Sequence, residues 1–600
     1  MKSTSNMKNF FTTFLSSFLG VFVAIFLVGM VFVFSIVGVF KSALEGKEQV
    51  AYKAKSKSIL MMDFSNPIKE RKTDNPFESF ESFGLEDGDH LSLDIILMNL
   101  KKAQKDTAIK GLYLKMSSAE GGFGTLEEIR NAILEFRKSG KFVVAYGEVY
   151  DQKSYYLASA ADKIFMNPQG GMEMKGLSAQ IMFFKNALEK LNVDVQIFRH
   201  GKYKSAVEPF FLDKMSENNR AQTEAFLQSI WSTIVGGISE QRGISKDEIN
   251  KIADNMLIRK PEDAIRYKLI DGLKYDDEVQ DYLREKIGLK PNAKIGYVKM
   301  KEYRKSSKDL FQSDEKNKIA VIYAVGEIEG GEGDDETIGS DRIARTIREA
   351  RLDSEIKAIV LRVNSPGGSA LASDIMWREI NLAKKVKPII VSMGDLAASG
   401  GYYISCSADR IFAQPNTITG SIGVFGVLPN AQKLLSEKMG INIDTVNTNK
   451  HSDMGTLFRP LDTKEGEMMQ QSVEDVYQTF IGRVAEGRKI TKDNVDSIGQ
   501  GRVWSGTDAL KIKLVDEIGG LEKAILYAAT KANLKDGEYR LVSLPKKTNP
   551  LEKILENVEG DMDAKIRKSL GKEAVYILHL KKLVESKGIR ARLPFDFIVY

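Results

Sequence analysis

Residues 91–165 align without a gap to residues 338–412 at a constant offset of 247, so the two stretches must share one fold. IKGLYLKMSS from Ile109 matches IKAIVLRVNS from Ile356, and SYYLASAADKIF from Ser154 matches GYYISCSADRIF from Gly401. A later pair, EDAIRYKLIDGL from Glu262 and TDALKIKLVDEI from Thr507, keeps the correspondence at an offset of 245. The body of the chain is therefore a tandem duplication, and its 600 residues suit two such copies, each able to bury a core of its own.

Within each copy, short apolar runs rich in β-branched residues, such as 356–363 and 389–393, alternate with helical stretches such as 373–385. That alternation predicts a layered α/β fold. The first copy is expected over 55–300 and the second over 319–547. The polar stretch 301–318 between them lacks apolar periodicity and reads as a linker. A tail is expected over 548–600, charged and helix-favouring beyond Pro550, with no counterpart in the first copy.

Ahead of the duplication, residues 9–40 carry no charged side chain and are bounded by Lys8 and Lys41. The run exceeds the roughly 20 residues that cross about 30 Å of hydrocarbon, and it is longer than the apolar region of a cleaved leader. A single transmembrane anchor is expected, with residues 1–8 cytoplasmic because Lys2 and Lys8 lie on that flank, and with the body on the extracytoplasmic side. A cleaved secretory leader would deliver the body to the same side.

The balance of 87 basic and 81 acidic side chains, scattered along the chain, argues against nucleic acid as a partner, and no nucleotide is expected. Cys406 is the single cysteine, which rules out an intramolecular disulfide and a thiolate cluster. The four histidines lie in no metal-ligand spacing, so neither a metal nor a cofactor is expected.

Duplicated domains that kept one chemistry would keep its residues in both copies, so positions where the copies differ carry the information. In GDLAASGGYY, Ser399 follows an apolar strand and precedes a helix, among small residues that let a substrate backbone approach. The first copy has Gln152 there. A serine before two glycines is also a common helix cap. VNSPGGSA presents Gly367 and Gly368, whose amides can serve as oxyanion donors, the second more than the first, although a Pro-Gly turn before a helix has the same sequence. Ser421 in TGSIGV is a candidate to orient a base.

A nucleophilic serine needs a proton acceptor, and no histidine stands in a serine-hydrolase motif. Lysine can serve if burial lowers its pKa from about 10.4. GKYKSAVEPF in the first copy contains Lys204, and aligning LEKLNVDV with SEKMGINI pairs it with Ser452. The losses are complementary: the first copy holds the lysine without the serine, the second the serine without the lysine. His451 is an alternative base, and Cys406 an alternative nucleophile.

Together GDLAASGGYY, VNSPGGSA, TGSIGV and GKYKSAVEPF, in this order, resemble the signal peptide peptidase A family in its long, double-domain bacterial form. The resemblance reaches from the anchor to about residue 547. It implies a fold related to the Clp protease and crotonase group, Ser399 as nucleophile, Lys204 as general base and Gly368 as main-chain oxyanion donor. It also implies a homotetramer at the membrane lipid that cuts signal-peptide remnants and similar apolar peptides. The rival readings are a crotonase-like enzyme acting on acyl-CoA and a non-catalytic membrane scaffold.

Overall fold

The computed structural model describes residues 20, 26–30, 54–71, 91–304, 313–546 and 590–592. The first copy contributes strands β1 (Ser58–Asp63), β2 (Ile109–Met116), β3 (Phe142–Tyr150), β4 (Lys163–Met172), β5 (Asp194–His200), β6 (Gly272–Leu273) and β7 (Gly296–Lys299). The second contributes β8 (Lys318–Val325), β9 (Glu327–Glu329), β10 (Thr337–Gly339), β11 (Ile356–Ser365), β12 (Gly367–Ser369), β13 (Ile389–Ala398) and β14 (Arg410–Ala413). It continues with β15 (Ile418–Gly420), β16 (Val424–Asn430), β17 (Val503–Ser505), β18 (Glu517–Ile518) and β19 (Arg540–Leu544), and the tail adds β20 (Arg590–Arg592).

The sheet of the first copy runs β6-β4-β3-β2-β1-β7, all parallel. In the second copy β18-β14-β13-β11-β8-β19 repeats that order, again all parallel, and β15 and β17 extend it past the end of β13. Parallel sheets are covered on both faces, which is why β11 reads as an almost unbroken apolar run in which Ile359, Val360, Leu361 and Val363 are all buried. The principal helices recur in pairs. In the first copy they are α1 (Phe123–Arg137), α2 (Gln152–Ala158), α3 (Glu217–Arg242) and α4 (Asp276–Lys286). In the second they are α5 (Ala370–Lys384), α6 (Gly400–Ser405), α7 (Thr463–Arg488) and α8 (Leu521–Lys531). The matching 26-residue helices α3 and α7 start on the same device, a polar side chain that accepts the third amide: Ser216 for α3 and Asp462 for α7. The tandem α/β plan of the sequence is thus the plan of the fold.

A third sheet ties the copies together in the order β10-β9-β12-β20-β16-β5. Here β5 of the first copy pairs antiparallel with β16 of the second, from Val424 opposite His200 to Asn430 opposite Asp194.

Two stretches differ from expectation. The linker does not begin at 301, because Met300–Arg304 is helical and the Tyr303 ring is buried, its hydroxyl 2.9 Å from Asp106 Oδ2; residues 305–312 lie outside the described residues. The tail, expected to be helical, contributes a strand at β20, where neighbouring strands supply the ladder that Arg-Ala-Arg has no propensity to build alone.

The chain falls into two compact units, and both copies belong to one of them. The other comprises Met1–Lys53, Asp74–Asp87 and Lys305–Ser307, of which residues 20 and 26–30 are described; they are helical, with Phe26, Leu27, Val28 and Met30 exposed. The span expected over 9–40 therefore lies almost wholly outside the described residues. Among the described residues no helix is long and apolar enough to cross a membrane.

Candidate active site

Ser399 sits where β13 turns into α6, with φ 55° and ψ −114°. That conformation costs a non-glycine residue roughly 1–3 kcal/mol and persists only where its surroundings over-determine it. Here the Ser399 amide donates to Gly420 O at 2.7 Å, and its carbonyl accepts from the Tyr403 amide at 2.8 Å. The residue occupies the cap position of α6, yet its side chain makes no capping bond. The hydroxyl is turned away from the helix, towards Lys204.

Lys204 arrives from the other copy. Because β5 is laddered onto β16, the loop that follows β5 is carried to the end of the second copy's sheet. The Tyr203 amide donates to Gln500 O at 2.9 Å, and Gln222 of α3 clamps the loop, donating to Tyr203 O and to Ser205 Oγ while its own oxygen accepts from the Val503 amide. Gly501, at φ 78°, lies so close that a Cβ there would stand 2.6 Å from Lys204 Cβ. The lysine threads a passage that only a glycine leaves open.

At the end of that passage Lys204 Nζ lies 2.9 Å from Ser399 Oγ, 3.0 Å from Ser421 Oγ and 3.2 Å from Ser421 O. Lys204, Ser399 and Ser421 have no exposed surface, and among the described residues no carboxylate contacts the amine. Burial without a counter-charge disfavours the ammonium form and drives the Lys204 pKa well below its ordinary 10.5. A neutral amine has two protons and one lone pair. The Ser421 carbonyl can only accept, so it takes one proton, the Ser421 hydroxyl can take the other, and the lone pair is left for the Ser399 hydroxyl.

Gly367 and Gly368 form β12 beside α6, with φ 99° and 157°. Gly368 abuts Ile328 of β9 so tightly that a Cβ would stand 2.0 Å from its carbonyl oxygen. The Gly367 amide donates to Ser365 Oγ at 3.1 Å. In the first copy the corresponding ground is closed off: Gln152 Oε1 accepts from the Lys175 and Gly176 amides at 2.9 and 2.8 Å, and Gln152 Nε2 donates to Gly176 O at 2.8 Å.

Sequence reasoning missed the brace behind the site. Arg362, fully buried on β11, is ion-paired with Glu70 at 2.9 Å and with Glu128 of α1 at 2.6 Å, both from the first copy. Burial opposes its charge, but the two carboxylates more than offset that and hold the guanidinium protonated. Asn364 joins them, donating to Glu70 Oε1 at 2.7 Å and accepting from the Leu396 amide at 3.0 Å, three residues before Ser399. The repeat held a signal, since Ile375 stands where the first copy has Glu128.

The alternative groups are occupied elsewhere. His451 Nδ1 lies 2.9 Å from Glu465 Oε1, and that carboxylate is also paired with Arg459. With Asp462 these residues place three ligand-type atoms within 4.8 Å of one another, but the arginine already supplies the positive charge that a metal ion would bring. Cys406 is buried in the second core with its thiol on Tyr403 O, and burial pushes its pKa up to about 12, far from a reactive thiolate.

Several known proteins resemble this chain over most of its length. Protease 4 of Haemophilus influenzae is 37% identical over 508 residues, covering 82% of either chain. The chloroplastic serine protease SPPA of Arabidopsis thaliana is 36% identical over 84% of this chain and 74% of its own, and Protease 4 of Salmonella typhi 37% over 80% and 78%. Peptidase family S49 matches twice, over residues 135–290 and 381–535, one match in each copy. The chain belongs to peptidase family S49, as a serine peptidase of the double-domain form.

Proposed function

We propose that Ser399 and Lys204 form the catalytic dyad of this serine peptidase, and that it acts as a membrane-anchored endopeptidase on cleaved signal peptides and similar apolar peptides. The observation that carries the reading is the 2.9 Å approach of a buried, uncompensated amine to the hydroxyl of a backbone-strained serine. The Lys204 lone pair takes the Ser399 proton as Oγ attacks the peptide carbonyl carbon, and the Gly368 amide stabilises the oxyanion. The resulting ammonium gives its proton to the leaving amine as the C–N bond breaks. Water, deprotonated by the same lysine, then hydrolyses the acyl-enzyme and frees Ser399.

The uncharged stretch 9–40 supports the anchor, and with it a body on the extracytoplasmic side of the bacterial inner membrane. The resemblance to signal peptide peptidase A supports the substrate class and a homotetramer. An acyl-CoA substrate or a purely structural role would leave the depressed lysine without a use.

Ser399→Ala and Lys204→Ala, assayed separately on a quenched apolar peptide, should each lower kcat by about three orders of magnitude or more while preserving assembly. A fluorophosphonate should label Ser399 in the unaltered protein. Substantial turnover by either variant rejects the dyad.

A further inference from the structure

β13 and β11 keep step up to Met393, which faces Val363, and again from Ala397, which faces Ser365. Between those pairs Gly394, Asp395 and Leu396 stand opposite Asn364 alone, a bulge in the strand that leads to Ser399. Bulges re-aim the side chains that follow them, and each residue of this one is tied down. The Gly394 carbonyl accepts from Thr417 Oγ1 at 2.7 Å, and the Leu396 amide donates to Asn364 Oδ1 at 3.0 Å. Asp395 reaches across to the other copy: its Oδ1 accepts from the Thr125 amide of α1 at 2.7 Å, and its Oδ2 from the Thr125 hydroxyl at 2.8 Å.

The tie replaces a bond that the matching helix makes for itself. α5, the second copy's counterpart of α1, is capped by its own Ser369, whose Oγ accepts from the Ala372 amide at the third helical position. In α1 the cap position is Gly122, which has no side chain to offer, and the amide at the third position, that of Thr125, goes to Asp395 instead. Two glycines make the room. A Cβ on Gly122 would stand 2.1 Å from Asp395 Cγ, and one on Gly124 would stand 2.9 Å from Gly394 O. Glu128, three residues further along α1 and so on the same face, holds Arg362. A helix of the copy that carries Lys204 is thus bolted to the bulge of the strand that presents Ser399.

We propose that Asp395 is a positioning residue of the peptidase: by capping α1 across the boundary between the copies, it fixes the bulge at 394–396 and, through it, the approach of Ser399 to Lys204. The inference rests on the dyad described above. Asp395 acts through the backbone of Leu396, Ala397 and Ala398 and not by contact with substrate. A misplacement of about 1 Å at a reacting group costs about a hundredfold in rate, so loss of the tie lowers kcat by that order and leaves KM within about twofold.

The test uses the full chain and three variants. Asp395→Ala removes the tie and the cap together. Asp395→Ala Gly122→Ser gives α1 a cap of its own, as Ser369 gives α5, without restoring the tie. Asp395→Asn keeps an oxygen for the Thr125 amide. On an apolar fluorogenic peptide Asp395→Ala should lose about a hundredfold in kcat, and Asp395→Asn should regain most of it. The added serine should recover the urea midpoint but not kcat. Fluorophosphonate labelling of Ser399 in Asp395→Ala should slow by a like factor and still run to completion, which a simple loss of folded protein would not allow. Parental kcat in Asp395→Ala, or recovery of kcat in the double variant, overturns the proposal. Hydrogen exchange over 394–400 reads the tie whether or not any peptide is cut. Faster exchange in Asp395→Ala that Gly122→Ser does not reverse, in a protein whose Ser399 takes no fluorophosphonate, supports the tie and counts against the dyad; unaltered exchange with normal labelling does the reverse.

Discussion

Arg362 Nη1 of the second copy donates to Glu128 Oε1 of the first at 2.6 Å, with neither side chain more than 2% exposed. Removing one partner of such a buried pair leaves the other charged and unpaired, which costs about 3–5 kcal/mol. Arg362→Met should therefore lower the urea midpoint of the body markedly, and Arg362→Glu Glu128→Arg should recover only part of the loss, because Glu70 would then face a carboxylate. An Arg362→Met midpoint equal to that of the unaltered protein would show that the brace is dispensable.

Activity should follow the proton on Lys204. Burial lowers its pKa, so the amine is the competent base above that lowered value, and kcat/KM should fall as pH drops through it. The stability effect has its own sign. Between the lowered folded pKa and the unfolded value near 10.5, the unfolded chain binds the extra proton, so stability rises with pH across that window. Lys204→Met should abolish turnover and flatten that rise. An unchanged pH dependence of stability in Lys204→Met would mean that the amine titrates normally in the fold.

Gly501→Ala tests the passage. A methyl group would need the 2.6 Å now separating its position from Lys204 Cβ, at a φ of 78° that itself costs roughly 1–3 kcal/mol. A displacement of about 1 Å at the amine can cost about a hundredfold in rate, so kcat should fall by that order while KM changes little. Retention of the parental kcat would show that the loop can yield.

Gln152→Ser, made in a Ser399→Ala background, should not create a second site. The glutamine caps two amides of its own copy, and their loss of a partner costs about 1–3 kcal/mol, while the counterpart of Lys204 is the exposed Ser452. Fluorophosphonate labelling of residue 152 would contradict this.

The tandem α/β plan could be read from the constant offset, and the meeting of Ser399 and Lys204 from what each copy had lost. Other features leave no such trace. The pairing of β5 with β16 is invisible to the repeat, because the second copy's counterpart of β5, residues 442–448, forms no strand. Glu70 and Glu128 look like ordinary surface acids until the packing of α1 against β13 encloses Arg362. β20 takes its conformation from two foreign edges and not from its own three residues.

The ladder between β5 and β16 also sets a schedule. A chain emerging during synthesis folds its first copy first, with Lys204 attached and nothing for it to activate. The serine is made 195 residues later, and the wall that fixes the lysine, Gln500 to Val503, later still. Until nearly the whole second copy has been made and has docked, no fragment of the molecule brings the Lys204 amine to the Ser399 hydroxyl, so the proposed dyad is assembled only as the second copy closes.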